Sequence, residues 1–194
     1  MKVQKGGGSM AKAIDVAKFF IEIVSNAPNE DAMTNLRLNK LLYFAQAGSI
    51  SSLGYTLIEE DFEAWDLGPV VKSVYKTFKE YGRNGIVNQS FDRQALTKEE
   101  QLYLLDVLRK YSTMSTSSLV NKSHEKGTPW YEVYYSTGDR IIPKHRITEY
   151  YEHIEIVDKF TLPFTEKDFI GTRDESNHLV LPQEYDYAEA KSVS

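Results

Sequence analysis

The sequence predicts a mainly α fold: a compact helical domain of about six helices with a few short strands, followed by a C-terminal extension. Three observations carry this. Apolar residues recur three and four apart in segment after segment, as in Leu104, Val107, Leu108 and Tyr111, which places them on one helix face. Start and stop signals bracket those segments: Thr97 stands three residues before Glu100, and Gly54 and Gly82 follow apolar runs. No internal repeat or linker-like stretch interrupts residues 11–154, so one domain is expected over 10–154.

Taken in order, Ala13, Val16, Ala17, Phe20 and Val24 form the stripe of an amphipathic helix over Ala11–Asn26. The turn-prone Asn-Ala-Pro-Asn of 26–29 ends it. Thr34 or Asn35 caps the next helix, Leu36 to about Leu53, with Gly54 just past its end. Leu38, Leu41, Leu42 and Ala45 form one stripe there and Tyr43, Ala47 and Ile50 a second, so this helix is expected at the centre of the domain. Thr56–Trp65 reads as a short extended segment at a sheet edge. Gly68-Pro69 then reads as a helix start with Pro69 at the first helical position, where its missing N–H costs least. That helix, Pro69–Tyr81, turns Val71, Val74, Tyr75 and Phe78 to one side, and Gly82 stops it.

Thr97 and Glu100 form a capping box for the Leu104–Tyr111 helix, and a Ser/Thr-rich stretch caps a shorter one near Ser117–Ser123. A turn with Gly127 and Pro129 leads into the aromatic run 130–135. Arg140–Ile142 is a candidate strand, and Pro143 opens a last helix with Ile147, Tyr150, Tyr151 and Ile154 on one face. Beyond Glu155 the apolar pieces are broken by Pro163, Gly171, Asn177 and Pro182, with a short strand expected at Leu179–Leu181. Residues 1–9, MKVQKGGGS, read as an appended leader outside the fold.

Charge is unevenly placed. Residues 1–154 are balanced, whereas 155–194 carry nine acidic and four basic side chains and account for the whole net charge of −5. A neutral body with an acidic extension is a poor match for a phosphate backbone and suits a basic protein partner, so nucleic acid is disfavoured. With no cysteine, disulfides and thiolate metal sites are excluded. No apolar run approaches the roughly 20 residues that span a bilayer, and a cytoplasmic protein is expected.

Catalytic and cofactor patterns fail one by one. The phosphate-cradling GxxxxGK[ST] and GxGxxG and the nucleophile elbow GxSxG do not occur. Ser123 and His124 are adjacent, but chain neighbours rarely present both side chains to one substrate. His145, Glu149 and His153 align on one helix face, a pattern that solvated helix residues produce far more often than zinc sites. The acidic cluster Glu59–Glu63 fits a solvated edge better than an acid–base pair. No enzyme activity, cofactor or metal is therefore expected. Thirteen tyrosines suit either a core or an interface, since Tyr buries area while keeping a polar tip.

The ordered blocks Asn39-Lys40-Leu41-Leu42-Tyr43-Phe44-Ala45-Gln46, Glu63-Ala64-Trp65, Gly68-Pro69-Val70-Val71 with Val74-Tyr75, Ser123-His124 with Pro129-Trp130, and Ile147 with Glu149-Tyr150-Tyr151 closely resemble the Panacea domain, the SocA-like antitoxin domain. The resemblance covers about Ala11 to Tyr151. It implies a mostly helical antitoxin of bacteria or their phages, a setting that includes phage defence, which neutralises a cognate toxin by direct protein–protein contact and occlusion of its active or substrate site. Toxins of this family's partners include tRNA-modifying, alarmone-synthetase-like enzymes. Family precedent also supplies an alternative, a proteolytic adaptor that delivers the toxin to ClpXP. A DNA-binding regulator, using Lys72, Lys76 and Lys79, is a weaker third reading. On this resemblance Leu41, Tyr43, Trp65, Gly68, Pro69, His124 and Trp130 are expected to hold the scaffold. Asp61, Glu63, Tyr185, Asp186 and Tyr187 are expected to contact the partner.

Overall fold

The fold is arranged around one helix, α2 (Asn35–Leu53), buried on nearly every side. The computed structural model describes residues 10–26, 33–87 and 89–152, and the backbone of 172–173 and 179–180. Asn26 ends the first helix as expected, while the rest of the Asn-Ala-Pro-Asn turn, His153, Ile154, and Tyr185, Asp186 and Tyr187 lie outside the described residues. The chain divides into two units, Met1–Glu155 and Ile156–Ser194. In the second, Thr172–Arg173 pairs antiparallel with Leu179–Val180, so the short strand expected near 179–181 is present.

In the first unit, α1 (Ala13–Ser25) buries Val16, Ala17, Phe20 and also Phe19 and Ile21, a wider face than its stripe suggested. Thr34 caps α2 by accepting from the Arg37 N–H, and Gly54 closes it at φ 81°, a left-handed conformation that glycine adopts without a Cβ penalty. The Thr97–Glu100 capping box opens α4 (Lys98–Ser112), as its sequence predicts. Helices α3 (Lys72–Phe78), α5 (Thr116–His124), α6 (Pro129–Tyr134) and α7 (Lys144–Glu152) complete a set of seven among the described residues. Helices α1, α3, α4, α5 and α7 all pack on α2.

The helix beyond the six expected is α6, formed by the aromatic run that starts at Pro129. Thr128 accepts from the Tyr131 N–H and Pro129 sits in its first turn; Pro143 likewise immediately precedes α7, where its carbonyl accepts from the Arg146 and Ile147 N–H groups. Pro69 instead lies in strand β2 (Gly68–Val70), which pairs antiparallel with β1 (Phe62–Trp65); Ala64 faces Pro69. Gly68, at φ 100°, makes the turn possible, and a short edge strand tolerates a residue with no N–H to donate. The following helix therefore starts at Lys72, and Tyr75 is exposed rather than on its buried side.

The extended segment is also relocated. β1 is the middle strand of a three-stranded sheet in the order β2-β1-β3, because β3 (Ile141–Ile142) pairs with its other edge. Ala11 adds a further bridge to Ile58, with the Ala11 N–H donating to the Leu57 carbonyl at 2.7 Å.

Candidate functional site

Stretches far apart in sequence meet over one amine. Lys40 projects from the N-terminal half of α2, is fully buried, and donates from Nζ to the Pro69 carbonyl at 2.7 Å. No carboxylate pairs with it among the described residues. Burial alone lowers its pKa from 10.5 to about 7, because a charge removed from water without a counter-ion is penalised. Gly68 lies directly against it: a Cβ there would come within 2.9 Å of Lys40 Nζ and 2.8 Å of Ser123 Oγ. Ser123 is itself buried and donates to the Val120 carbonyl.

His124, next to Ser123, stacks on Trp130 with ring centroids 3.7 Å apart. Its pKa is lowered, first by desolvation and then by the neighbouring Lys40 charge, and its buried Nε2 has no hydrogen-bond partner among the described residues. Trp130 donates from Nε1 to the Trp65 carbonyl at 3.0 Å, which fastens α6 to the sheet. Thus Trp65, Gly68, Pro69, His124 and Trp130 surround one cluster. Leu41 and Tyr43 are buried within the adjoining core, where Tyr43 meets Phe44, Phe62 and Tyr151 edge-on. Burial raises the Tyr43 pKa strongly, so the hydroxyl stays neutral.

Lys40 belongs to a larger pattern that the apolar reading of α2 did not show. Six of its polar side chains are buried, and each serves the backbone of another segment or of α2 itself. Arg37 donates to the carbonyls of Tyr111, Ser112 and Met114 at the end of α4, and Asn35 donates to the Tyr75 carbonyl. Asn39 Oδ1 accepts from the Val71 N–H, Gln46 Oε1 from the Ile58 N–H, and Ser49 Oγ from the Leu57 N–H. Turns and chain ends that lack ladder partners find them here.

Two of the acids expected to meet a partner, Asp61 and Glu63, have partners within the described residues. Asp61 is exposed and pairs with Lys144 at 3.5 Å. Glu63 pairs with Lys72 at 3.3 Å and accepts from Trp65 Nε1 at 2.8 Å. Glu60 accepts from the Ala13 N–H at the start of α1. Among the described residues no His, Asp or Glu group is placed to hold a metal. No helix there is long and apolar enough to cross a membrane.

A second feature is exposed. Tyr134 stacks on Trp130 at 4.6 Å, the Arg140 guanidinium lies 4.9 Å above Tyr134, and Tyr135 packs on both Tyr131 and Tyr134. The Tyr134 hydroxyl donates to Asp66, and Trp65 meets Tyr75 at 4.8 Å. Leu67, 58% exposed, and Tyr135, 66% exposed, are the most solvent-facing members. Sequence reasoning did not single out this face, although Tyr131, Tyr134 and Tyr135 stand at helical spacing after Thr128-Pro129.

The architecture is that of a helical scaffold whose polar interior serves its own backbone and whose distinctive exposed groups are aromatic. Residues 38–131 match the family "Antitoxin SocA-like, Panacea domain". The chain is also 34% identical over 109 residues to Antitoxin SocA of Caulobacter vibrioides (strain NA1000 / CB15N), covering 50% of this chain and 58% of that relative. The match thus extends over less than two thirds of the relative's length. No solved structure matches the chain.

Proposed function

We propose that this chain is a non-catalytic, cytoplasmic antitoxin that neutralises a cognate toxin by binding it directly and covering its active or substrate site. The carrying observation is the Panacea domain match at 38–131, supported by similarity to a protein named as an antitoxin. The tightly packed signature cluster supports a scaffold role for Leu41, Tyr43, Trp65, Gly68, Pro69, His124 and Trp130, because each has a structural partner or a buried position. Partner contacts then belong to exposed groups. Asp61, at the rim, is one candidate, Glu63 beside it another, and Tyr185, Asp186 and Tyr187 of the acidic extension complete the proposed set. An acidic extension is suited to the basic groove of an enzyme that modifies tRNA, such as an alarmone-synthetase-like toxin.

The test is co-expression of this chain with the product of the neighbouring reading frame. Growth rescue, co-purification and inhibition of the toxin in purified components are the expected results. A neighbour that is harmless alone overturns the reading. Rescue that disappears in cells lacking ClpXP, without inhibition in purified components, would identify a proteolytic adaptor instead. A shift of its own promoter DNA would identify a regulator.

A further inference from the structure

The exposed aromatic face beside the β1–β2 turn has a composition that specifies its occupant. Leu67 stands in the turn between β1 and β2; Trp65, which precedes the turn, meets Tyr75, and Asp66 beside Leu67 accepts from Tyr134, which packs on Tyr135. Leu67, Tyr75 and Tyr135 are 58%, 38% and 66% exposed. Amphipathic rings of this kind supply contact area with little side-chain entropy to lose, which is why interfaces favour them.

Charge on this face is asymmetric. Lys72 is taken up by Glu63, and Arg140 lies over the Tyr134 ring. Asp66 is left exposed, with one hydrogen bond from the Tyr134 hydroxyl at 3.1 Å and no cation within ion-pair distance among the described residues. An unpaired carboxylate bordered by tyrosine faces provides both halves of a site for a cationic side chain: a counter-charge and a ring to lie against.

We infer that this face docks a protein segment that presents an arginine or lysine beside an apolar side chain. The cation pairs with Asp66 and lies against the Tyr135 ring, and the apolar side chain covers Leu67 and Tyr75. This deepens the antitoxin reading, on which the identity of the partner as the toxin rests; the chemistry of the occupant does not depend on it.

Two experiments separate the two claims. Peptides displayed on phage and selected on the full-length chain should be enriched for Arg or Lys next to an apolar residue. Their binding should fall at least tenfold on Asp66→Asn and on Tyr135→Ala, and stay within twofold on Leu102→Ala, a change on the exposed side of α4. Enriched peptides without a basic residue, or peptides that bind all variants alike, overturn the inference whatever the toxin is. With the neighbouring gene product as probe, the same two variants should weaken co-purification and rescue while keeping the wild-type circular dichroism and melting temperature. Unchanged neutralisation by both variants removes the toxin from this face and leaves the antitoxin reading standing.

Discussion

Lys40 is the residue at which the balance of forces is most exposed. Its Nζ makes one good hydrogen bond, to Pro69, yet its pKa is lowered to about 7, which corresponds to a penalty on the charged form of order 5 kcal/mol. Between pH 7 and 10.5 the unfolded chain binds a proton at this site that the folded chain does not, so stability rises with pH across that window. Below pH 7 the penalty is present in full. Lys40→Met removes it and leaves the Pro69 carbonyl unpaired, which costs about 1–3 kcal/mol. The variant is therefore expected to be more stable than the wild type by about 2–4 kcal/mol at pH 6, with the advantage shrinking toward pH 10. Denaturant unfolding of both proteins at pH 6, 8 and 10 checks this. The sequence located Lys40 within a signature block but could not show its environment. A lysine in an otherwise apolar helix looks the same whether it reaches solvent or points at a carbonyl 29 positions away.

At the scale of elements, β2 decides how α2, α5 and the sheet fit together. Gly68 needs its positive φ to turn from β1, and the space where a Cβ would stand is filled by Lys40 and Ser123. Gly68→Ala combines backbone strain with overpacking, and a loss of about 2–4 kcal/mol in denaturant unfolding is expected. A variant as stable as the wild type would show that the cluster has slack. Helices were largely legible, because caps and apolar spacing are local: Thr34, Gly54 and the Thr97–Glu100 box all lie where the sequence puts them. The hairpin was not. Gly-Pro opens helices and lines edge strands equally well, and the choice rests on β3, Lys40 and Asn39, none of them nearby in sequence. The aromatic run 130–135 does not read as a helix in sequence because its start signal, Thr128-Pro129, also reads as a turn.

For the whole molecule, the family and the mainly α class were legible, while the docking face was not: it joins the β1–β2 turn to α6 through pairings that only the fold creates. The proposed role of the acidic extension is a prediction at this scale. A chain ending at Glu155, the limit of the first unit, should need a higher ratio of antitoxin to toxin for growth rescue, scored by titrating the two inducers. Equal rescue would assign neutralisation to the first unit.

The buried polar side chains of α2 carry a consequence for how such a protein is destroyed. Because they supply hydrogen-bond partners to Leu57, Ile58, Pro69, Val71, Tyr75 and the end of α4, peeling off any of those segments exposes orphaned groups on both sides. Partial opening is thereby suppressed relative to complete opening. Loss of the first unit's structure is then expected to approach all-or-none. The lifetime of the folded first unit would then be governed by one global unfolding rate.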